Sequence, residues 1–121
     1  MHDKKHAATD PEVLTVFKKM IAAVEGVELK GARCPYTSFN GHMMSSISKA
    51  DRIGLRLSKP DREEFIEKYQ TTLFEAFPGF FQKEYVAIPE SMLSNTSTLR
   101  KYFKKSYEYV GSLKPKKSTK K

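Results

Sequence analysis

The sequence predicts an α+β domain: a helix, a three-stranded antiparallel meander, a second helix, one or two further strands and a C-terminal helix. Three observations carry that prediction. Asn40-Gly41 stands between YTSF and HMMSSI, and a type I′ hairpin turn needs φ > 0 at both central residues, which Asn then Gly adopts at least steric cost. In RIGLRLS, Ile53, Leu55 and Leu57 alternate with Gly54 and Arg56, the period of two of a half-buried strand. Val13, Phe17, Met20, Ile21 and Val24, and later Leu99, Tyr102, Phe103, Ser106 and Val110, recur at spacings of three and four, the mark of amphipathic helices. Strands bracketed by helices give an antiparallel sheet with helices packed on it.

Taken in order, Met1 to Ala8 is a polar, disordered head. Asp10 is a good N-cap, with Pro11 at the first helical position and Glu12 placed well against the helix dipole. This first helix is expected to end at Gly26, a natural residue for a left-handed C-terminal position. VELKGARCP is a linker or a short edge strand. In the hairpin a two-residue turn pairs Phe39 with His42, Thr37 with Met44 and Pro35 with Ser46. Phe39, Thr37, His42 and Met44 then share one face, and Tyr36, Ser38, Met43, Ser45 and Ile47 the other. Neither face is cleanly polar, so the sheet is expected to be covered by its own helices on one side and by a partner subunit on the other.

Ser58 and Asp61 have capping-box spacing with Pro60 in the first turn, which starts a helix running from Lys59 to about Tyr69. TTLFEAFPGFF is ambiguous, with Pro78-Gly79 marking a turn or loop. QKEYVAIP reads as a strand that Pro89 terminates. Thr96, Ser97 or Thr98 is the expected cap of the last helix, and residues 114–121 form a lysine-rich, disordered tail.

The chain of 121 residues fits one domain, spanning 9–113 between head and tail. No run of eighteen apolar residues marks a membrane span, the N-terminus lacks the apolar stretch of an export signal, and the lone cysteine, Cys34, has no internal disulfide partner. The cytoplasm is the expected address. The net charge of +8 is concentrated at the ends: the tail holds five lysines and no acid, whereas residues 9–113 carry fifteen basic and thirteen acidic groups. A short lysine tail binds polyanions weakly and without reading sequence.

No constellation of catalytic groups stands out, and no enzyme activity is expected. Cys34 and His42 are a nucleophile and a base by type, but the hairpin register separates them by about 25 Å at about 3.3 Å per residue. His2, His6, His42 and Cys34 lack metal-ligand spacing. Glu63 and Glu64 are neighbours on a helix and do not face each other. The glycines form no phosphate-binding loop, so no metal or cofactor is expected.

Lys30-Gly31 leading to Cys34-Pro35, then Phe39-Asn40-Gly41 with Met43, form the start of an ordered series of short matches. Leu55-Arg56-Leu57-Ser58 with Asp61-Arg62 follows, then Lys83-Glu84-Tyr85-Val86 with Ile88-Pro89. Lys105-Ser106, Tyr109-Val110 and Ser112-Leu113-Lys114-Pro115-Lys116-Lys117 end it. In order and spacing this series resembles the N-terminal domain of the TfoX/Sxy competence regulators, over about residues 13 to 117. The resemblance departs at Ala32-Arg33, where the family often has Phe-Gly, and at Gly79-Phe80-Phe81, where it has a Gly-Arg-Pro-like turn. It implies a two-layer α+β fold of the YgaC/TfoX-N type, similar to secretion-chaperone-like domains in which dimers occur, and it implies no catalytic residues. The second, helical domain of the full-length regulators has no counterpart in this sequence.

The expected role is therefore a non-enzymatic, regulatory protein-interaction domain, pairing with itself or with another protein. Tyr36, Met43, Phe80 and Phe81 are the candidate contacts. The alternative is a nucleic-acid accessory protein whose Arg100, Lys101, Lys104 and Lys105, with Lys114, Lys116 and Lys117 of the tail, neutralise phosphates.

Overall fold

The structure, a computed structural model, describes residues 10–31 and 35–115. Cys34, the head at 1–8 and the tail lysines Lys116 and Lys117 lie outside the described residues. The first helix, α1 (Pro11–Ile21), starts as its sequence dictates: the Asp10 carboxylate accepts the Glu12 N–H at 2.8 Å. Asp51, in the turn after the third strand, accepts the Asp10 N–H at 2.9 Å and ties the helix start to the sheet. The helix ends at Ile21 rather than at Gly26. The N–H groups of Ala23 and Val24 bond carbonyls three residues back, which tightens the last turn, and Gly26 (φ +86°) serves the bend that follows.

The sheet has six strands, β1 (Glu28–Lys30), β2 (Tyr36–Phe39), β3 (His42–Ile47), β4 (Ile53–Arg56), β5 (Leu73–Phe77) and β6 (Phe80–Ala87). They lie in the order β1-β2-β3-β4-β6-β5, and every neighbouring pair is antiparallel. The chain is thus α+β, with helix, strands and C-terminal helix in the expected sequence. VELKGARCP supplies the edge strand β1, and TTLFEAFPGFF is a hairpin with Pro78-Gly79 as its two-residue turn.

Asn40 (φ 60°) and Gly41 (φ 80°) form the predicted turn, and Phe39 pairs with His42. Beyond Met43 the register departs from the expected one: Thr37 faces Ser45 and Tyr36 faces Ser46, so Met44 is an extra residue on β3. The reason lies in the core. Met44 and Ile47 are both fully buried, yet residues three apart cannot share a face of a regular strand. The bulge brings both inside and sets Thr37 beside Ser45, whose buried hydroxyls satisfy each other at 2.6 Å.

Two more helices complete the covering layer. In α2 (Lys59–Tyr69) Ser58 holds the cap position, but its side chain makes no capping bond. The helix is anchored instead by the Arg62 N–H on the Ser58 carbonyl at 2.8 Å and the Arg62 guanidinium on the Leu57 carbonyl at 3.0 Å. In α3 (Thr96–Ser112) the cap is Asn95, one residue before the three hydroxyl candidates, accepting the Thr98 N–H at 3.3 Å. Phe17, Phe65, Leu99 and Phe103 from the helices meet Ile53, Leu55 and Val86 of the sheet in one dry core. Phe65 and Tyr102 pack edge to face at 4.9 Å.

The opposite sheet face, where the sequence suggested a partner subunit, is covered in part by the chain itself. Gly54, opposite Ala87, has no side chain because the Phe74 ring from β5 lies against it, and a Cβ there would overlap that ring. Near the same region β4 has ended, and the Met43 carbonyl receives Tyr85 Oη at 2.8 Å and Arg56 Nη1 at 3.3 Å in place of a strand partner.

Candidate functional site

Three phenylalanines at the β5–β6 tip remain in water: Phe77 is 60% exposed, Phe80 46% and Phe81 49%. The turn that presents them is held by Glu75, whose carboxylate accepts the Gly79 N–H at 2.9 Å. Pairing sets Phe77 opposite Phe80, and their rings stack at 4.8 Å with 7° between planes. Such a contact contributes about 0.5–1.5 kcal/mol. Burying a phenylalanine contributes about 1.5–3 kcal/mol, so leaving three outside forfeits more than the stack returns.

Behind the tip the hairpin borders an apolar crevice of about 400 Å³, between residues 46–49 at the end of β3 and Phe74, Ala76, Phe77 and Pro78. Lys49 and Glu75, both exposed, line a smaller hollow that adjoins this crevice along Ala76, Phe77 and Pro78.

The structure separates the four predicted contacts. Phe80 and Phe81 stand at the exposed tip. Tyr36 and Met43 are only half-exposed, and β4 lies between their strands and β6. Tyr36 and Met43 therefore do not form one patch with the two phenylalanines. Phe77, the most exposed of the three rings, was absent from the expected contacts. Reading Pro78-Gly79 as a two-residue hairpin turn would have placed it opposite Phe80.

The basic candidates are less concentrated than their sequence suggests. Arg100, Lys101 and Lys104 are exposed on α3, whereas Lys105 is half-buried and lies 3.9 Å from Asp61 of α2. The acids of α2 border this face closely enough that Glu64 and Asp61 help to raise the Tyr102 pKa, after burial and the Tyr69 hydrogen bond, to about 12. The exposed Lys114 has its carbonyl 2.8 Å from the His42 ring, so that imidazole has a structural partner at the end of α3.

Arg56 and Glu84 pair at 2.7 Å beside Tyr85. Burial pushes the Tyr85 phenol up to about 12, with Arg56 pulling the other way, and burial followed by the Glu84 carboxylate raises Tyr109. Among the described residues no group of three or more His, Cys, Asp or Glu side chains is placed to hold a metal ion, and no helix is long and apolar enough to cross a membrane. Compared with known proteins, the chain matches no family model, no curated protein and no solved structure.

Proposed function

We propose that the chain is a non-enzymatic protein-interaction domain of the cytoplasm that meets its partner, a second copy or another protein, through the β5–β6 tip. The observation that carries this reading is the trio Phe77, Phe80 and Phe81, held in water on a braced turn while the remaining phenylalanines pack in or against the core. The stacked Phe77 and Phe80 on one face of the hairpin, with Phe81 on the other, expose aromatic surface of the kind that interaction sites offer. The regulatory part of the reading comes from the resemblance to the TfoX/Sxy N-terminal domain.

A polyanion contact through Arg100, Lys101 and Lys104 is the second reading, favoured by their shared exposure on α3. Its signature is a steep loss of affinity with salt. The acids of α2 beside this face weaken it.

The native size of the tagged chain in an extract of its source cells tests the first reading. The wild type is expected to run well above the monomer, and the Phe77→Ser/Phe80→Ser/Phe81→Ser variant to fall back to monomer size. If both run as monomers, the reading fails.

A further inference from the structure

We propose that the partner at this site is an extended segment of another protein, which joins the sheet as a further strand alongside β5. The proposal rests on the reading of the tip as a protein contact and names the kind of segment it takes. β5 closes one end of the sheet, and among the described residues β6 is its only strand neighbour. An edge strand presents a row of backbone N–H and C=O groups that a further strand can pair. Edges are commonly blunted by shortness or by charge. β1, at the other end of the sheet, has both, with three residues and Glu28 and Lys30 on either side of Leu29. β5 runs for five residues with a single charge, Glu75, whose carboxylate is engaged by the Gly79 N–H.

The ground beside β5 suits such a segment. Two adjoining hollows, of about 400 and 260 Å³, follow the strand; the first is lined by Phe74, Ala76, Phe77 and Pro78, the second by residues 75–78. Residues 46–50 wall them on the far side, and no residue of β6 lines either, so both lie on the free side of β5. Successive side chains of a strand alternate between its faces. A hollow bordered by the unbroken run 75–78 therefore follows an edge and not a face. Ala76 is an extra residue without a partner on β6, since Glu75 faces Phe81 and Phe77 faces Phe80. Such bulges can turn an edge away from partners, but here Ala76 lines both hollows. An added strand would cover Phe77, the most exposed of the three rings, and fill the crevice with alternate side chains, while its backbone bonds supply affinity.

The edge does not suit a second copy of itself. Two β5 strands paired antiparallel over their whole length set Glu75 against Glu75, and like charges directly opposite are destabilising. The ends of the chain do not suit the groove either: residues 1–9 and 116–121 contain no large apolar residue besides Met1. The fitting segment carries apolar, strand-forming residues at alternate positions with polar ones between them.

Selection of displayed random peptides on the full chain tests this, at about seven residues each, enough to span a short strand at about 3.3 Å per residue. Enriched sequences are expected to alternate apolar and polar residues. A synthetic peptide of the enriched sequence is expected to slow amide hydrogen exchange in β5 and not in β1. N-methylation of the peptide backbone is expected to weaken binding about tenfold at alternate positions and little at those between, because only every second amide faces β5. Ala76→Pro, a proline in the edge at a bulge, is expected to weaken binding comparably. The methylated peptides probe the unaltered chain, so they decide the matter even where the proline variant fails to fold, as a circular-dichroism melt would reveal. Failure to enrich any peptide overturns the proposal, as does a peptide whose protection falls outside β5 or whose binding ignores the methylation pattern. The extract measurement on Phe77→Ser/Phe80→Ser/Phe81→Ser keeps the two readings apart. A tip-dependent complex without a strand-forming peptide overturns strand addition and leaves the protein-contact reading standing, whereas neither complex nor peptide overturns both.

Discussion

Two hairpins with two-residue turns meet opposite fates in this molecule. At the β2–β3 tip, Phe39 stacks on Tyr107 of α3 with 4.5 Å between ring centres. The Asn40 amide donates to the Val110 and Leu113 carbonyls at 3.2 and 3.0 Å, and the His42 ring meets the Lys114 carbonyl. That tip closes the C-terminal end of α3, whose last carbonyls have no intrahelical partners. At the β5–β6 tip the aromatic rings stack on each other and face water. Both turns carry glycine at their second position and an aromatic residue beside it, but only Asn40 offers an amide that can reach α3. What differs is whether a helix of the same chain arrives to cover the tip, and at the β5–β6 tip none does.

If the first tip is structural and the second is not, the same substitution must act differently at each. Phe39→Ala is expected to cost about 3 kcal/mol, towards the value for a packed ring, and Phe80→Ala less than about 1 kcal/mol, the worth of its stack. Urea midpoints of the two variants measure the gap, and equal losses would erase the distinction.

Tyr85 links the hairpins by donating to Met43 of β3 from β6. Its pKa is raised from 10.0 to about 12 by burial, so the unfolded chain releases this proton first as pH rises. Stability is therefore fully present below pH 10 and declines between pH 10 and about 12. A proton held roughly a hundredfold more tightly in the folded chain corresponds to a loss of about 2–3 kcal/mol across that range. Tyr85→Phe is expected to flatten that decline in a pH series of urea melts.

Gly54→Val probes the base of the exposed hairpin. The added side chain must displace the Phe74 ring, at about 1–3 kcal/mol, the usual cost of overpacking. Larger changes in amide exchange are expected on β5 than on β2. Asn40→Ala is expected to cost about 1–2 kcal/mol. It removes two hydrogen bonds to the end of α3 and puts a Cβ residue without a local partner at φ 60°. Asn40→Gly should recover the backbone part and leave the lost bonds.

Most of this fold was legible because short-range signals agreed with long-range packing. The Asp10 cap, the Asn40-Gly41 turn and the alternation from Ile53 to Leu57 each read correctly, since local geometry decides them. The misreadings arose where distant residues decide. The Met44 bulge follows from two core positions three residues apart, and strict alternation could not foresee it. The cap at Asn95 was hidden among four adjacent capping residues. The covered face at Gly54 depended on a β5 whose strand character Pro78-Gly79 masked, and that ambiguity also hid Phe77. Phe80 and Phe81 were visible as spare aromatics. Whether they fold back or stand free was a tertiary question that only the hairpin geometry answers.

The central claim is that the β5–β6 tip touches another protein while the rest of the surface is solvated. Photo-crosslinking in the source cells tests it most directly, with benzoylphenylalanine placed either at Phe81 or at the exposed Glu64 of α2. A discrete crosslinked protein product is expected from position 81 and none from position 64. Products of equal yield from both positions, or none from either, would contradict the claim.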